Sequence, residues 1–406
     1  MNRETLSTEF PFARASRNEL SPLYQTLRQE STLRRVRNWD GKEPWLITRY
    51  DDARFVLKDS RFSSDHTLAG YPGPGPTMTA VRERYPTFVT MDNPDHNRYR
   101  RMLSAVFSLD QVKRRQGEIQ RTIDELVGKI VEMEPPVDFV VSLALPIPSS
   151  LIARTLGVPY RDHAYFQALT RVMASEQSTR EEALDASEEM CEVYLRRLIR
   201  DKAEAPGDDL ISRLIQNEVL EEKLSEDELV SIGRLLLVAG HDTTANMIGL
   251  GALSLVEHPE LTQSLRDDPA LVPNAVEELL RFWNIDNQGA RRVALEDVEV
   301  RNTIIRRGEG AIVAIQSADR DDEVFEHAEE LEFRRPNARF HNAFGFGIHQ
   351  CLGQHLARLE LQTVIPALVT RFSDLQLAVP AEDLRFGEHM FNFGIEELPL
   401  TWTQAR

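Results

Sequence analysis

Residues 344–353 read FGFGIHQCLG and hold Cys351, one of only two cysteines in 406 residues. A thiolate is the nucleophilic and metal-binding form of cysteine, and it persists where a metal, a nearby cation or a helix N-terminus holds it. A helical pattern sets in just after Cys351, which would place the sulfur where free N–H groups and partial positive charge favour an anion. Glycines at 345, 347 and 353 let the chain turn tightly and let a bulky ligand come close. Three accounts of the stretch compete. A buried structural cysteine leaves the glycines unexplained. Zinc held by His349, Cys351 and His355 has acceptable ligand types, but the spacing is unlike the common zinc patterns and a fourth ligand is missing. A haem iron with one axial thiolate needs a single cysteine and accommodates the glycines, so it fits best.

A second group of polar residues sits inside an otherwise apolar helix. Ser225-Glu226-Asp227-Glu228 is a capping-box pattern and Pro259 lies just past the far end, which predicts a helix over 225–257. At about 1.5 Å per residue, roughly 33 residues span around 50 Å, enough to cross a whole domain. Leu235-Leu236-Leu237-Val238 are apolar all round, yet Ala239-Gly240-His241-Asp242-Thr243-Thr244 follow at once. Inside a helix, Gly240 costs roughly 1 kcal/mol relative to alanine, and a buried Asp242 costs more unless it is paired. Ala239 and Thr243 are four apart, as are Gly240 and Thr244, so small residues and hydroxyls share one stripe against which a planar ligand can lie. The competing account is that Thr243 and Thr244 bond back to carbonyls one turn earlier and bend the helix.

Helices and small sheets must position both segments. Residues 32–38 and 44–50 read as a hairpin turned at Trp39-Asp40-Gly41, with a short helix from Asp51. The proline- and glycine-rich stretch 71–85 reads as one long loop. From about Pro94 to Pro273 helical periodicity dominates, broken by proline and glycine. After a helix ending near Trp283, residues 292–300 and 310–315 read as strands, 353–372 as a helix, and the tail from Leu375 as short strands and turns. The expected fold is mainly α with small β-sheets, in one domain over 1–406 whose β-rich portion is roughly 1–65 with 290–320 and 375–406.

Composition narrows the function classes. Cys191 and Cys351 are too few for a disulfide framework, so a reducing, intracellular compartment is expected. The first twenty residues lack an apolar core of signal-peptide length, and no apolar run reaches about 18 residues, which reads as a cytoplasmic protein without a membrane span. A net charge of −17 argues against general nucleic-acid binding, which needs basic surface.

Taken together, these segments make the chain resemble a soluble bacterial-type cytochrome P450 over nearly its full length. Phe344-Gly345-Phe346-Gly347-Ile348-His349-Gln350-Cys351-Leu352-Gly353 matches that family's haem-binding pattern F-G-x-G-x-H-x-C-x-G without a gap. Ala239–Thr244 is similar to its oxygen-activating segment, and Glu278-Leu279-Leu280-Arg281 to its E-x-x-R pair, all in family order. A glutamate and an arginine three apart are, on their own, commonly an exposed pair.

The resemblance implies the P450 fold, with haem b between the long central helix and the cysteine-ligand loop, and Cys351 as the axial ligand. Phe344, Gly345 and Gly353 would border the haem on the ligand side, and Ala239, Gly240 and Thr244 on the other. For the propionates it points to His96 and Arg100, which are four apart on one helix face, and to Arg292 and His349. Arg291 points the other way by strand alternation.

It further implies a class I monooxygenase of the actinobacterial branch that oxidises secondary metabolites and foreign compounds. Such an enzyme inserts one oxygen atom from O2 into a medium or large, mostly apolar molecule, by hydroxylation or epoxidation. Thiolate donation would favour O–O cleavage, and Asp242 with Thr243 would form the acid–alcohol pair that delivers protons. Electrons would come from NAD(P)H through a ferredoxin and its reductase. Arg98, Arg100, Arg101, Lys113, Arg114 and Arg115 offer basic surface for that partner, or else a solvated helix face. A monomer is expected. Alternatives are a nitric-oxide-reductase-like or a peroxide-using relative, in which the Asp242–Thr243 arrangement would be altered, and a non-enzymatic haem sensor, which would not need it. Asp286, Asn287 and Asn392 read either as polar substrate contacts or as solvent-exposed groups.

Overall fold

The computed structural model describes residues 5–403. Eleven short strands are present among them: β1 (Thr5–Glu9), β2 (Arg34–Arg37), β3 (Trp45–Ile47), β4 (Phe62–Ser63), β5 (Val137–Asp138), β6 (Ala290–Ala294), β7 (Val298–Val300), β8 (Thr303–Ile305), β9 (Gly310–Val313), β10 (Gln376–Leu377) and β11 (Pro399–Thr401). They form a six-stranded sheet in the order β1-β2-β3-β9-β6-β4, a three-stranded sheet β10-β11-β5 and the pair β7-β8. Helices make up most of the remainder.

The expected hairpin is present. β2 and β3 run antiparallel with Arg34 opposite Leu46 and Arg35 opposite Trp45, and Gly41 takes a left-handed φ of 78° in the turn. β3 then lies parallel to β9, and β9 antiparallel to β6, so the early hairpin shares a sheet with residues 290–313.

Two expectations are corrected. Residues 71–85 are not one loop, because a helix runs over Pro76–Arg84. Pro76 occupies the first turn, where a missing N–H is harmless and the fixed φ favours a helix, so the proline that read as a breaker is a start. Residues 292–300 are not one strand: β6 ends at Ala294, and β7 belongs to another sheet, opposite β8.

The central helix covers Glu226–Glu257, 32 residues. Its capping box is formed, with Ser225 Oγ accepting from the Glu228 N–H at 3.2 Å and Glu228 accepting from the Ser225 N–H at 2.7 Å. It crosses the main core, packed against the helix Pro146–Leu156 and the helix Gln354–Arg371 that follows Cys351. Among the described residues no helix is long and apolar enough to cross a membrane.

The Glu278–Arg281 pair lies on the helix Val272–Trp283 and is fully buried rather than exposed. Arg281 Nε donates to Glu278 Oε2 at 2.7 Å and Nη2 to Oε1 at 2.8 Å, while Nη1 reaches the carbonyls of Asp319 and Ala328 at 2.9 and 2.8 Å. Arg335 Nε bridges both oxygens of Glu278 at 3.0 Å. This cluster fixes the irregular segment 319–335 against the helix and so frames the chain that leads to Cys351.

Candidate active site

Local backbone chemistry shapes the loop before Cys351. Gly345 and Gly347 both take left-handed φ values, 70° and 78°. A Cβ at Gly347 would stand 2.7 Å from the Leu57 carbonyl oxygen, so only glycine lets the loop approach the helix Tyr50–Lys58. The Cys351 N–H donates to the Phe344 carbonyl at 2.8 Å and closes the loop. Gly353 then caps the helix Gln354–Arg371, and the N–H groups of Gly353 and Gln354 point at the Cys351 sulfur.

Burial pushes the Cys351 thiol up, opposed by those two N–H groups and by the guanidinium groups of Arg100 and Arg358. Its side chain is nonetheless exposed. Both hold only if the sulfur lies deep in the fold and faces an open internal space. A metal cation in that space would reverse the balance and hold the thiolate.

Beside that opening four residues with N–H donors gather, two histidines and two arginines. His96 is 1% exposed and its ring lies 4.3 Å from that of His349. Neither ring nitrogen of His96 nor Nδ1 of His349 has a hydrogen-bond partner. Arg292 is buried on β6, and its Nη1 reaches only the Arg291 carbonyl, at 2.8 Å. Burial, then the charges of Arg292, His96 and Arg100, push His349 down to about 3; burial and Arg100 lower His96 as well. Both imidazoles are therefore neutral near pH 7, and each offers one N–H. The carboxylate that acts on His96 and Arg292, Asp92, spends its oxygens on Ser63 and on the Ser64 N–H. Buried donors left this way cost about 1–3 kcal/mol each unless an acceptor arrives. Two guanidinium and two N–H donors without a bonded carboxylate fit the two propionates of a haem.

The zinc account fails on geometry. Among the described residues no three His, Cys, Asp or Glu side chains gather closely enough to hold a metal ion, so His349, Cys351 and His355 form no three-ligand set.

On the central helix, Ala239 is exposed and Asp242 and Thr243 are half-buried, although Leu236, Leu237, Thr244 and Ala245 around them are buried. The turn thus borders an internal opening. Thr243 Oγ1 donates to the Ala239 carbonyl at 2.9 Å, the back-bond that the structural account of this threonine foresaw. That bond spends the hydroxyl proton and leaves the oxygen lone pairs free to accept. Asp242 Oδ2 stands 3.4 Å from the amide nitrogens of both Asn246 and Asn392. Gly240 has a packing reason: a Cβ there would meet Ile152 at 2.6 Å. His241 turns inward, with Nδ1 2.6 Å from the Leu237 carbonyl and its ring edge-on to Phe166.

Sequence reasoning missed the groups that hold the loop in place. Arg358 lies over the Phe344 ring at 4.4 Å and donates to both oxygens of Glu277, which also faces His341 Nε2 at 3.0 Å. Glu277 sits beside Glu278, so its adjacency was visible, but its partners lie 64 and 81 residues further on. Asp286 accepts from the N–H groups of Gln288 and Gly289 and shapes a turn, whereas Asn392 faces Asp242.

Comparison with known proteins agrees with this geometry. The family model described as "Cytochrome P450" matches residues 162–384. Cytochrome P450-SU2 of Streptomyces griseolus is 46% identical over 364 residues, 90% of this chain and 89% of that one. The chain belongs to the cytochrome P450 family. Pentalenic acid synthase of Streptomyces avermitilis is 42% identical, covering 97% of each chain. Among solved structures, GfsF superposes with a TM-score of 0.90 at 37% identity over 98% of this chain and 100% of that one. The mycinamicin VIII C21 methyl hydroxylase MycCI from Micromonospora griseorubida, bound to mycinamicin VIII, does so with a TM-score of 0.90 at 36% identity, over 97% and 100%.

This P450 is thus a bacterial class I monooxygenase of the actinobacterial branch. It uses haem with cysteine thiolate ligation and takes electrons from NAD(P)H through a ferredoxin and its reductase.

Proposed function

We propose that haem b lies between Cys351 and the turn at Ala239–Thr244, with Cys351 as axial ligand. The supporting observation is a sulfur exposed inside the fold beside four residues whose donors lack an anion. His96, Arg100, Arg292 and His349 hold the propionates. Ala239, Gly240, Thr244, Phe344, Gly345 and Gly353 border the haem. Bound there, the haem supplies oxygen activation, and thiolate donation favours O–O cleavage. The substrate is a medium or large, mostly apolar molecule that gains one oxygen atom by hydroxylation or epoxidation.

The chain's own residues then handle the protons. Thr243 Oγ1, held by Ala239, presents its lone pairs to the opening and keeps a water in place. The Asp242 carboxylate, between Asn246 and Asn392, takes a proton from solvent water and then passes it to that water. Arg98 is engaged with Glu228, and Arg115 with Glu118 and Thr155. Arg101, Lys113 and Arg114 are exposed and remain for docking an acidic ferredoxin. We read the protein as a cytoplasmic monomer forming a single P450 domain. Both cysteines are free thiols, and the six-stranded sheet ties residues 5–63 to 290–313.

Thr243→Ala tests the proton role. With oxygen, NAD(P)H and a surrogate ferredoxin system, reducing equivalents should still be consumed and appear as peroxide, while product falls by about a hundredfold, the scale of general acid–base catalysis. Unchanged coupling would remove Thr243 from proton delivery. Wild-type turnover with nitric oxide or peroxide alone, and none with oxygen, would replace the monooxygenase reading.

Arg292→Met tests the propionate set. It leaves one guanidinium for two propionates, so the haem-to-protein absorbance ratio after gel filtration should drop while the circular dichroism of the helices stays unchanged. Full haem retention would take Arg292 out of that set.

A further inference from the structure

A small cavity of about 160 Å³ adjoins the propionate cluster and shares Arg292 and His349 with it; Tyr71, Arg82, Arg291 and Phe391 line it as well. Three arginines line it, and no carboxylate does. Within the haem reading, Arg100 and Arg292 match the two propionate charges, and His96 and His349 add hydrogen-bond donors. Arg82 and Arg291 are then left over.

Among the described residues, neither makes a salt bridge. Arg82, half-buried at the end of the helix Pro76–Arg84, reaches the Tyr71 hydroxyl at 3.3 Å and stands 5.8 Å from the Phe391 ring, and among the described residues it has no carboxylate in ion-pair reach. Arg291 is 4% exposed; its Nη groups bond to the carbonyls of Gln288 and Gly289 and to Gln288 Oε1, while its Nε has no partner. Two acids, Asp286 and Glu176, act on Arg291 from behind without forming a salt bridge to it. Asp286 holds the N–H groups of Gln288 and Gly289, Glu176 holds the Gln288 amide, and burial pushes both carboxyls up. Burial lowers Arg291 to about 10, opposed by Tyr71, Asp286 and Asp40 and reinforced by Arg82. Like charges facing one space are unfavourable until an anion enters between them.

We infer that Arg82 and Arg291 form a carboxylate subsite, so that the favoured substrates of this P450 are apolar molecules bearing a carboxylic acid. A carboxylate matches guanidinium forks with two planar oxygens, and the flanking Phe391 and Val89 suit an apolar body attached to it. This assignment rests on the haem reading, because that reading withdraws Arg100 and Arg292 from the count.

The test is a Soret-shift titration of the holoenzyme with matched pairs of straight-chain, terpenoid and polycyclic carboxylic acids and their methyl esters. At least one acid should bind about tenfold more tightly than its ester, the scale of a hydrogen-bonded charge. Arg82→Gln and Arg291→Gln should each erase that preference while keeping the carbon-monoxide difference band. Arg291 also braces the Gln288–Gly289 turn, so Arg82→Gln, which breaks no backbone contact, carries the test if Arg291→Gln does not fold. If the band is present, three results overturn the subsite alone: esters binding as tightly as acids, no acid shifting the Soret band, or a preference that survives substitution. Absence of the band from the wild-type protein would sink the haem reading and the subsite with it.

Discussion

Cys351→Ala is expected to abolish the carbon-monoxide difference band of a thiolate-ligated haem, and monooxygenase turnover with it. Three features of the loop suit a thiolate that holds a metal: the N–H groups of Gly353 and Gln354 aimed at it, Arg100 and Arg358 acting on it, and its exposure inside the fold. Alanine keeps the loop closed, since the 344–351 bond runs through the backbone. The propionate cluster is untouched, so some haem should remain bound in a different ligation state. Cys191 is the internal control. It is fully buried, burial pushes its thiol up to about 12, and it packs beside Arg234, so Cys191→Ala should leave the band intact. A band that persists in Cys351→Ala and vanishes in Cys191→Ala would reverse the assignment.

What could be read from the sequence was mostly local. The capping box at Ser225 and Glu228, the turn at Gly41 and the glycines before Cys351 each join residues within a few positions, and the structure contains all three. Misreadings arose where one residue has two local meanings. Pro76 starts a helix rather than breaking one, and Gly240 is required by Ile152 whether or not a ligand lies nearby. Thr243 makes the structural back-bond and can still accept at its oxygen, so two accounts posed as rivals are compatible. The family resemblance proposed the set His96, Arg100, Arg292 and His349, but their shared lack of anions appears only when three separate elements converge. Arg335 carried no signal, and Asn392 read only as a substrate contact or an exposed group, not as a partner of Asp242. Their partners are 57 and 150 residues away, and both sit in irregular segments without periodicity.

That distance gives the second large effect. Glu278→Ala should destabilise the protein by about 3–5 kcal/mol, the usual consequence of removing one partner from a buried ion cluster. Glu278 is 0% exposed and is the carboxylate that Arg281 and Arg335 share, so its loss strands two buried guanidinium groups at once. Their bonds to the carbonyls of Asp319, Ala328, Glu330 and His327 would survive but would not neutralise them. The denaturant midpoint of the holoenzyme, followed by helix circular dichroism, measures the change. Charge burial can be separated from packing with the triple replacement Glu278→Leu, Arg281→Met and Arg335→Met, which removes every ion and keeps the volume. If stranded charge is the cause, the triple variant should be more stable than Glu278→Ala despite carrying three substitutions. Losses that simply add across the three positions would show instead that the cluster acts through packing and its carbonyl bonds, and that Glu278 has no special place in holding segment 319–335 behind the haem loop.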